Sequence, residues 1–325
     1  MAQKILVTGG AGYVGSALVP SLLKRGYEVV VYDLYLYGDV FNNLKNPRLK
    51  EIKGDIRDAE RLIHAGRGAD QLIHLACISN DPSFDLNPAL GKSINYDAFF
   101  NVLQTTERNR IKRLIYASSA SVYGVREGEM RETVEPRPIT DYARYKYECE
   151  KLLHHSPINH VIIRPATICG YAPRRRLDVV VNILTINALV NKKIQIFGGS
   201  QKRPNLNIKD MVGAYQLVLA APDSLVSGEI FNIGHSNLPV LEIARMVKKV
   251  LADKKIKLEQ VDTQDIRSYH LNTKRMIDIL KFRPRYSVAE AIMSLKRAHN
   301  KNLFTDALNN PLYHNIKMMR QIKLV

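Results

Sequence analysis

The sequence predicts an α/β protein with a doubly wound parallel sheet and a smaller C-terminal lobe. Short apolar runs alternate with stretches of helical spacing, and a glycine-rich turn joins the first strand to the first helix. The chain has 325 residues, of which 46% are hydrophobic, enough for two domains or one large α/β unit with a lobe. We expect the larger domain to comprise residues 1–166 and about 207–235, and the lobe about 167–206 and 236–325.

The first strand and helix are predicted at residues 4–7, an aliphatic run, and 16–25, which has apolar residues at helical spacing before a C-capping Gly26. The turn between them reads Thr8-Gly9-Gly10-Ala11-Gly12-Tyr13-Val14-Gly15. Glycine allows a tight turn and close approach of the backbone to a ligand. The amides and the dipole at the start of the following helix favour an anion. The turn therefore predicts a pyrophosphate site.

The spacing of the glycines fits two patterns. Gly10, Gly12 and Gly15 satisfy GxGxxG, whereas Gly9, Gly12 and Gly15 satisfy GxxGxxG. Either pattern indicates a dinucleotide site when a strand precedes it and a helix follows it. We expect Gly9, Gly12, Tyr13, Val14 and Gly15 to contact the cofactor.

The second strand is predicted at residues 27–33 and ends in Asp33, 18 residues after Gly15. A carboxylate at that position accepts hydrogen bonds from the adenosine ribose hydroxyls and repels a 2′-phosphate. The predicted cofactor is therefore NAD rather than NADP.

The rest of the first half continues the alternation of strand and helix. Strands are predicted at 49–52, 71–76, 113–117 and 160–164, and helices at 96–107 and 141–153. This order implies a parallel sheet with helices on both faces and a ligand at the carboxyl ends of the strands. Ser118 and Ser119 follow one of these strands directly.

The helix at 141–153 carries Tyr142 and Lys146, which are i,i+4 neighbours. The ordinary pKa of a tyrosine is near 10, and a nearby cation is expected to lower it into a useful range for an acid/base. Lys146 can also donate to the nicotinamide ribose, and Ser119 can hydrogen-bond the substrate hydroxyl. This group predicts hydride transfer chemistry with an internal acid/base.

A second tyrosine–lysine pair, Tyr147 and Lys151, lies about 140° around the same helix. The alternative for either pair is an exposed aromatic–cation contact. We choose Tyr142 because it stands at the start of the helix, where it can face the strand ends.

Charge is concentrated in the second half of the chain. The formal net charge is +17: residues 1–162 hold 21 Lys and Arg against 19 Asp and Glu, and 163–325 hold 27 against 12. A basic half can bind nucleic acid or an anionic membrane, carry solvated lysines on helix faces, or line a pocket for a diphosphate. The arginines at 174–176 and the pair Lys202-Arg203 suggest the last of these. Nucleic acid is disfavoured because no aromatic platform accompanies the basic residues.

Targeting and metal signals are weak. No leader-like pattern precedes the first strand, and the apolar stretch 179–190 is too short to span a bilayer. Cys77, Cys149 and Cys169 lie in no metal-binding or disulfide spacing. We expect a cytoplasmic protein without a metal, a nucleic-acid partner or a membrane partner.

Taken together, these motifs resemble an extended short-chain dehydrogenase/reductase with a Rossmann domain. The resemblance is carried by TGGAGYVG, Asp33, GDI at 54–56, HLA at 74–76, SSASVYG at 118–124 and YARYK. More narrowly, the chain resembles NAD-dependent nucleotide-sugar epimerases and dehydratases. This resemblance implies that Ser119, Tyr142 and Lys146 form the catalytic trio. It also implies cofactor contacts by Asp55, Ile56, Leu75 and Ala76. The resemblance further implies a nucleoside-diphosphate sugar substrate and a homodimer joined through the helices near 96–107 and 141–153.

Some positions depart from the family's pattern. Related 4,6-dehydratases and decarboxylases usually carry a glutamate where this chain has Ser121, so the resemblance favours a C4-epimerase. Thr167 and Cys169 replace the asparagine and tyrosine usual near the sugar. Arg203 stands where the family's diphosphate-binding arginine usually lies. Arg267 is a second candidate, with an ion pair to the neighbouring Asp265 as the alternative.

The sequence therefore predicts an NAD-dependent enzyme of carbohydrate biosynthesis that oxidises C4 of a nucleoside-diphosphate sugar. A 4-epimerase working through a transient 4-keto intermediate is favoured. A 4-dehydrogenase or ketoreductase with net redox chemistry is the alternative. A non-catalytic NAD- or RNA-binding module is a further alternative, which the intact Tyr142 and Lys146 disfavour.

Overall fold

The elements are those of a computed structural model that describes residues 2–263, 268 and 270–322. The strands in this part of the chain are β1 (Lys4–Thr8), β2 (Glu28–Asp33), β3 (Leu49–Lys53), β4 (Gln71–His74), β5 (Arg113–Ala117), β6 (Glu129–Met130), β7 (His160–Pro165), β8 (Thr167–Cys169), β9 (Lys193–Phe197), β10 (Lys202–Asn207), β11 (Glu229–Ile233), β12 (Ser236–Pro239), β13 (Lys257–Val261) and β14 (His270–Leu271). The α-helices are α1 (Tyr13–Lys24), α2 (Ala59–Ala65), α3 (Asp81–Phe84), α4 (Pro88–Lys92), α5 (Phe99–Arg108), α6 (Asp141–His154), α7 (Val180–Asn191), α8 (Ile208–Ala220), α9 (Asp223–Val226), α10 (Val240–Leu251), α11 (Lys274–Leu280), α12 (Val288–Asn300) and α13 (Asn315–Gln321). A π-helical turn lies at Ser93–Asp97, and 3-10 turns lie at Ala120–Tyr123 and Pro311–Tyr313.

Seven parallel strands form the central sheet, in the order β11-β7-β5-β4-β1-β2-β3. The inner strands are buried along almost their whole length, as expected for apolar runs covered on both faces. The predicted doubly wound parallel sheet is therefore confirmed.

Two hydrophobic cores cover the two faces of this sheet. Along β1, Ile5 and Val7 belong to the core beneath α1 and α8, whereas Leu6 between them belongs to the core beneath α2, α5 and α6. Successive side chains of a strand point to opposite faces, so one apolar run serves both cores.

The second half of the chain adds a smaller set of elements around a third core. A three-stranded sheet of β12, β10 and β8 and a parallel pair of β13 and β9 pack with α7, α10 and α12. The chain returns to the central sheet in between, because β11 pairs with β7. The expected domain boundaries remain a prediction. In the residues that the structure describes, no helix is long and apolar enough to cross a membrane.

Two helices begin at residues other than those predicted. Helix α1 starts at Tyr13 rather than Ser16, because Gly12 is extended and serves as its N-cap. Helix α5 starts at Phe99 after the π-helical turn, whereas the prediction placed its start at residue 96. In that turn the side-chain oxygen of Asn95 accepts a hydrogen bond from the backbone nitrogen of Ile78 at 2.8 Å. The side-chain nitrogen of Asn95 donates to the backbone oxygen of Ile78 at 2.9 Å.

His74 at the end of β4 makes stability depend on pH. The ring is buried and lies 2.7 Å from the Thr8 hydroxyl, and burial, with a smaller effect of Lys146, lowers its pKa from 6.5 to about 3. Below about pH 6.5, His74 therefore binds a proton in the unfolded chain but stays neutral in the native state. The free energy of unfolding therefore falls as the pH falls from 6.5 towards 3.

We expect the free energy of unfolding to lose up to about 1.4 kcal/mol per pH unit from this group across that window. Urea unfolding of the wild type and of His74→Asn at a series of pH values measures it. The difference between the two proteins should shrink as the pH falls; a constant difference would contradict the assignment to His74.

Candidate active site

A cavity of about 410 Å³ opens at the carboxyl ends of the central strands, between the sheet and the smaller lobe. It brings together residues from the glycine turn, the ends of β4 and β5, helix α6 and the strands β8 and β10. Of the residues predicted for the site, those that line it are Gly9, Gly12, Tyr13, Val14, Gly15, Leu75, Ser119, Tyr142, Lys146, Thr167 and Arg203.

The glycine turn is a cradle that side chains would fill. Gly9 has a φ of +73°, and a Cβ there would overlap the backbone nitrogen of Ala76. A Cβ at Gly15 would overlap the backbone of Gly10, so the first turn of α1 lies directly against the loop. The N-terminal turn of α1 lines the cavity and has no side-chain cap, which fits the pyrophosphate of a dinucleotide.

Asp33 ends β2 beside this turn. Its Oδ2 accepts from the backbone nitrogen of Ala11 at 2.9 Å and its Oδ1 from that of Tyr35 at 2.7 Å. Burial raises the pKa of this carboxyl, and those backbone hydrogen bonds oppose the rise. The carboxylate is therefore held in one orientation next to the pyrophosphate cradle, as recognition of a ribose requires.

Four predicted cofactor residues do not line the cavity: Asp33, Asp55, Ile56 and Ala76. The carboxylate of Asp55 accepts from Arg57 at 2.7 Å, and Ile56 is 5% exposed within the core beneath α2. Their contacts with NAD remain predictions. Arg267, with its neighbour Asp265, lies outside the described residues.

Helix α6 brings the predicted acid/base group to the cavity. Lys146 is 3% exposed and donates from Nζ to the carbonyl oxygen of Ala117, at the end of β5, at 2.6 Å. Ser119 Oγ accepts from the Ser121 hydroxyl at 2.8 Å and from the Ser121 backbone nitrogen at 3.1 Å. Because Ser121 fills the acceptor sites of Ser119, the Ser119 proton is left to donate towards Tyr142 or a substrate oxygen.

The pKa of Tyr142 shifts in the direction opposite to the one expected. Burial raises it, and the neighbouring Cys77 and Asp81 add to the rise, while Arg176 and a hydrogen bond with Ser119 lower it. The expected lowering by Lys146 is wrong for this structure, because desolvation of the phenol outweighs the cations around it. In the described structure, burial therefore favours the protonated phenol of Tyr142 over the phenolate.

The second tyrosine–lysine pair, Tyr147 and Lys151, forms an aromatic–cation contact instead of an acid/base group. Lys151 is exposed, and its Nζ lies 5.2 Å from the ring centroid of Tyr147. Neither residue lines the cavity. This pair is a cation–π contact between an exposed lysine and a half-buried tyrosine, away from the cavity.

Between Thr167 and Arg203 the cavity is also lined by Arg174, Arg176 and Asp178, of which Asp178 is not marked by any sequence motif. Of the three arginines suggested to line a pocket for a diphosphate, Arg174 and Arg176 line the cavity, and their contact with a diphosphate remains a prediction. Arg175 points away, towards the ring of Tyr313. Asn315 of α13 also lines the cavity, and no local pattern marks it.

The parallel α/β sheet, the glycine cradle at the start of α1 and the serine–tyrosine–lysine group at the strand ends define an extended short-chain dehydrogenase/reductase. A family model described as "NAD dependent epimerase/dehydratase family" matches residues 5–234. The chain belongs to this family, and NAD is its cofactor.

Similar proteins span more than one reaction. A UDP-glucose 4-epimerase of Lacticaseibacillus casei is 29% identical over 269 residues, covering 75% of this chain and 81% of that protein. A dTDP-glucose 4,6-dehydratase of Streptomyces niveus is 28% identical over 327 residues, covering 92% and 94%. The structure of a UDP-glucuronic acid 4-epimerase of Bacillus cereus, in complex with UDP-glucuronic acid and NAD, superposes with a TM-score of 0.82 at 26% identity, covering 93% and 100%. The chain is thus an enzyme of the epimerase/dehydratase kind.

Proposed function

We propose that this enzyme acts at C4 of a nucleoside-diphosphate sugar as a 4-epimerase, through a transient 4-keto sugar. The observation that carries the proposal is the placement of Ser119, Tyr142 and Lys146 in one cavity beside the glycine cradle. The similar 4-epimerases support the reaction, and the UDP-glucuronic acid bound to one of them supports the substrate class.

NAD, when bound in the cradle, supplies the hydride acceptor and donor. The chain's own residues move and hold the proton: Tyr142 exchanges it with the C4 oxygen, and Ser119 donates a hydrogen bond to the same oxygen. Lys146, fixed by the Ala117 carbonyl, is placed to hold the nicotinamide ribose and to stabilise the phenolate when it forms. The substrate must then present the other face of its 4-keto carbon before it is reduced again.

The side chains around Ser119 disfavour dehydration. Removal of water needs a further acid/base, and Ser121 stands where a glutamate would supply it. The described acids that line the cavity are Asp81 and Asp178. Asp81 accepts from the Thr140 hydroxyl at 2.5 Å, and Asp178 is paired with Arg176 at 3.1 Å. Both are engaged in structural contacts.

Product analysis tests the reaction. Purified enzyme is incubated with UDP-, dTDP-, GDP- and CDP-sugars, chosen beforehand by the rise in melting temperature that each causes. We expect interconversion of C4 epimers, followed by NMR, with no net change in NADH absorbance. Accumulating NADH with a released keto-sugar would favour the 4-dehydrogenase. A 4-keto-6-deoxy product would show a dehydratase. No turnover, with tight RNA binding at physiological salt, would favour a non-catalytic module.

We further propose that the enzyme is a cytoplasmic homodimer joined through α5 and α6. Phe100 of α5 is 48% exposed, and its ring packs on Tyr96, which in turn lies 5.5 Å from the ring of Tyr145 on α6. An aromatic surface of this kind is typical of a protein–protein contact. Sedimentation analysis measures the assembly state.

A further inference from the structure

The last part of the described chain, residues 303–322, connects the smaller lobe to the central sheet, and we call it the C-terminal strap. At its start, Tyr313 lies in a fourth apolar cluster with Ile186 of α7 and Leu295 of α12. Towards its end, Met319 of α13 packs against the core beneath α2, α5 and α6. The strap therefore touches both of the parts between which the cavity opens.

Asn315, the first residue of α13, joins two segments of the cavity wall. Its side-chain nitrogen donates to the backbone oxygen of Ser79 at 3.1 Å and to the Ser79 hydroxyl at 2.9 Å. Its side-chain oxygen accepts from Arg174 Nη2 at 2.5 Å, and its backbone nitrogen donates to Asp178 Oδ2 at 2.6 Å. Ser79 follows β4, whereas Arg174 and Asp178 precede α7, and all of them line the cavity. A single buried side chain thus holds the two segments together.

The helix that carries Asn315 is weak on its own. It has seven residues, and no side chain caps its N-terminus. A helix this short is unstable without tertiary contacts. Segments that open for ligands belong to the least stable parts of a protein. The polar contacts of Asn315 are therefore a large part of what keeps α13 across the cavity.

These contacts adjoin the glycine cradle. The backbone nitrogen of Arg174 donates to the Ser16 hydroxyl at 3.1 Å, and that hydroxyl donates to the carbonyl oxygen of Tyr13 at 3.0 Å, in the first turn of α1. The same cavity contains the cradle, Asn315 and Tyr142. NAD that reaches from the cradle towards Tyr142 therefore occupies the cavity whose walls Asn315 joins.

A 4-epimerase has to keep its reduced cofactor until the hydride is returned to the sugar. NADH that leaves earlier turns the keto-sugar into an end product. We propose that Asn315 is a positioning residue that latches the C-terminal strap across the cavity and so retains NADH while the keto-sugar turns. The role in epimerisation rests on the proposed function, whereas the latch itself is measured without a sugar.

The rate at which NADH leaves the enzyme tests the latch. Bound NADH is displaced by excess NAD, and the loss of its fluorescence gives the rate constant of dissociation. We expect Asn315→Ala to raise this constant about 10- to 100-fold, the usual effect of losing a hydrogen bond to a charged group. Asn315→Asp keeps an acceptor for Arg174 but loses the donor to Ser79, and should also raise it.

Lys317→Ala is the matched control on the same helix. Lys317 Nζ donates to the backbone oxygen of Leu308 at 2.7 Å and to Asn309 Oδ1 at 3.1 Å, so its contacts stay within the strap. Its rate of NADH release should equal that of the wild type. Hydrogen exchange of the wild type gives a second measurement that needs no variant to fold: the amides of 315–322 should exchange at least about 10-fold more slowly when NAD is bound.

The products formed with a sugar distinguish a latch from a general structural role. With excess NAD, part of the turnovers of Asn315→Ala should end as NADH and free keto-sugar in equal amounts, because oxidation of one C4 alcohol reduces one NAD. Lower activity without such products is expected of a variant that is merely less stable.

Unchanged NADH release in folded Asn315→Ala, or unchanged hydrogen exchange in the wild type, would overturn the latch and leave the proposed function standing. A wild type that itself accumulates NADH and keto-sugar, while Asn315→Ala still releases NADH faster, would overturn the epimerase and leave the latch standing.

Discussion

Tyr142→Phe is expected to lower kcat on the order of 10³-fold, within the range of an acid/base group that acts directly on the reacting oxygen. The substitution removes one oxygen from a ring that is 8% exposed, so the packing of α6 against the sheet is preserved. Turnover of the best nucleotide sugar, followed by NMR, measures the effect. Cofactor affinity, measured by fluorescence titration with NADH, should stay within about a few-fold of the wild type, because the glycine cradle is unchanged.

Tyr147→Phe is the control on the same helix. Tyr147 also has a lysine four residues later, but its half-buried ring contacts the exposed Lys151 and does not reach the cavity. Its activity should equal that of the wild type. Full activity of Tyr142→Phe, or a loss in Tyr147→Phe of similar size, would refute the assignment of the acid/base.

Much of the fold could be predicted because its signals are local. Buried parallel strands are short apolar runs, and β1, β2, β5 and β7 lie within a residue of the predicted ranges. The early start of α1 could not be predicted from spacing, because its N-cap, Gly12, and Gly15 in its first turn have no side chains to show a helical pattern. The π-helical turn before α5 contains the Asn95 that hydrogen-bonds the backbone of Ile78, a contact that no sequence period shows.

For the candidate site, too, some residues could be predicted from the sequence and others could not. Residues within the glycine turn and within α6 were predictable from motif spacing, and the structure places them on one cavity. Arg174 and Asn315 meet across 141 positions of the chain, and only the folded path of α13 over the cavity brings them together. Partners at such a separation carry no local signal.

The electrostatics of Tyr142 illustrate why residue identity does not give a pKa. Spacing shows that Lys146 is a neighbour, which predicts a lowered pKa. Burial depends on what packs over the ring, and here that packing includes the edge of Phe84, 6.5 Å away between centroids. Desolvation then outweighs the cations, so the direction of the shift is a property of the tertiary structure.

The stripe of α6 that carries Tyr142 and Lys146 continues to Glu150, and this residue joins the catalytic helix to the sheet. Glu150 is 3% exposed and accepts from Arg164 of β7 at 3.0 Å, and the Ser118 hydroxyl also donates to it. Arg164 donates in turn to the Tyr123 hydroxyl at 2.9 Å. The ion pair therefore ties α6, β7 and the segment containing Ser119 to one another.

Arg164→Met is expected to lower the free energy of unfolding by about 3–5 kcal/mol, because it leaves the Glu150 carboxylate buried without its cation. The midpoint of urea unfolding measures the loss, with Lys274→Met as the control: Lys274 pairs with Asp278 at 2.6 Å but is 74% exposed, and should cost less than about 1 kcal/mol. The double variant Arg164→Met, Glu150→Met should recover part of the loss, since it leaves no buried charge behind. Equal small losses for Arg164→Met and Lys274→Met would contradict this role.

The same variant should also lower activity. The folded fraction of Arg164→Met should show a lower kcat, because Ser119 and Tyr142 lose the ion pair that fixes them to one another. Its affinity for NADH should be retained, because the glycine cradle does not depend on this ion pair.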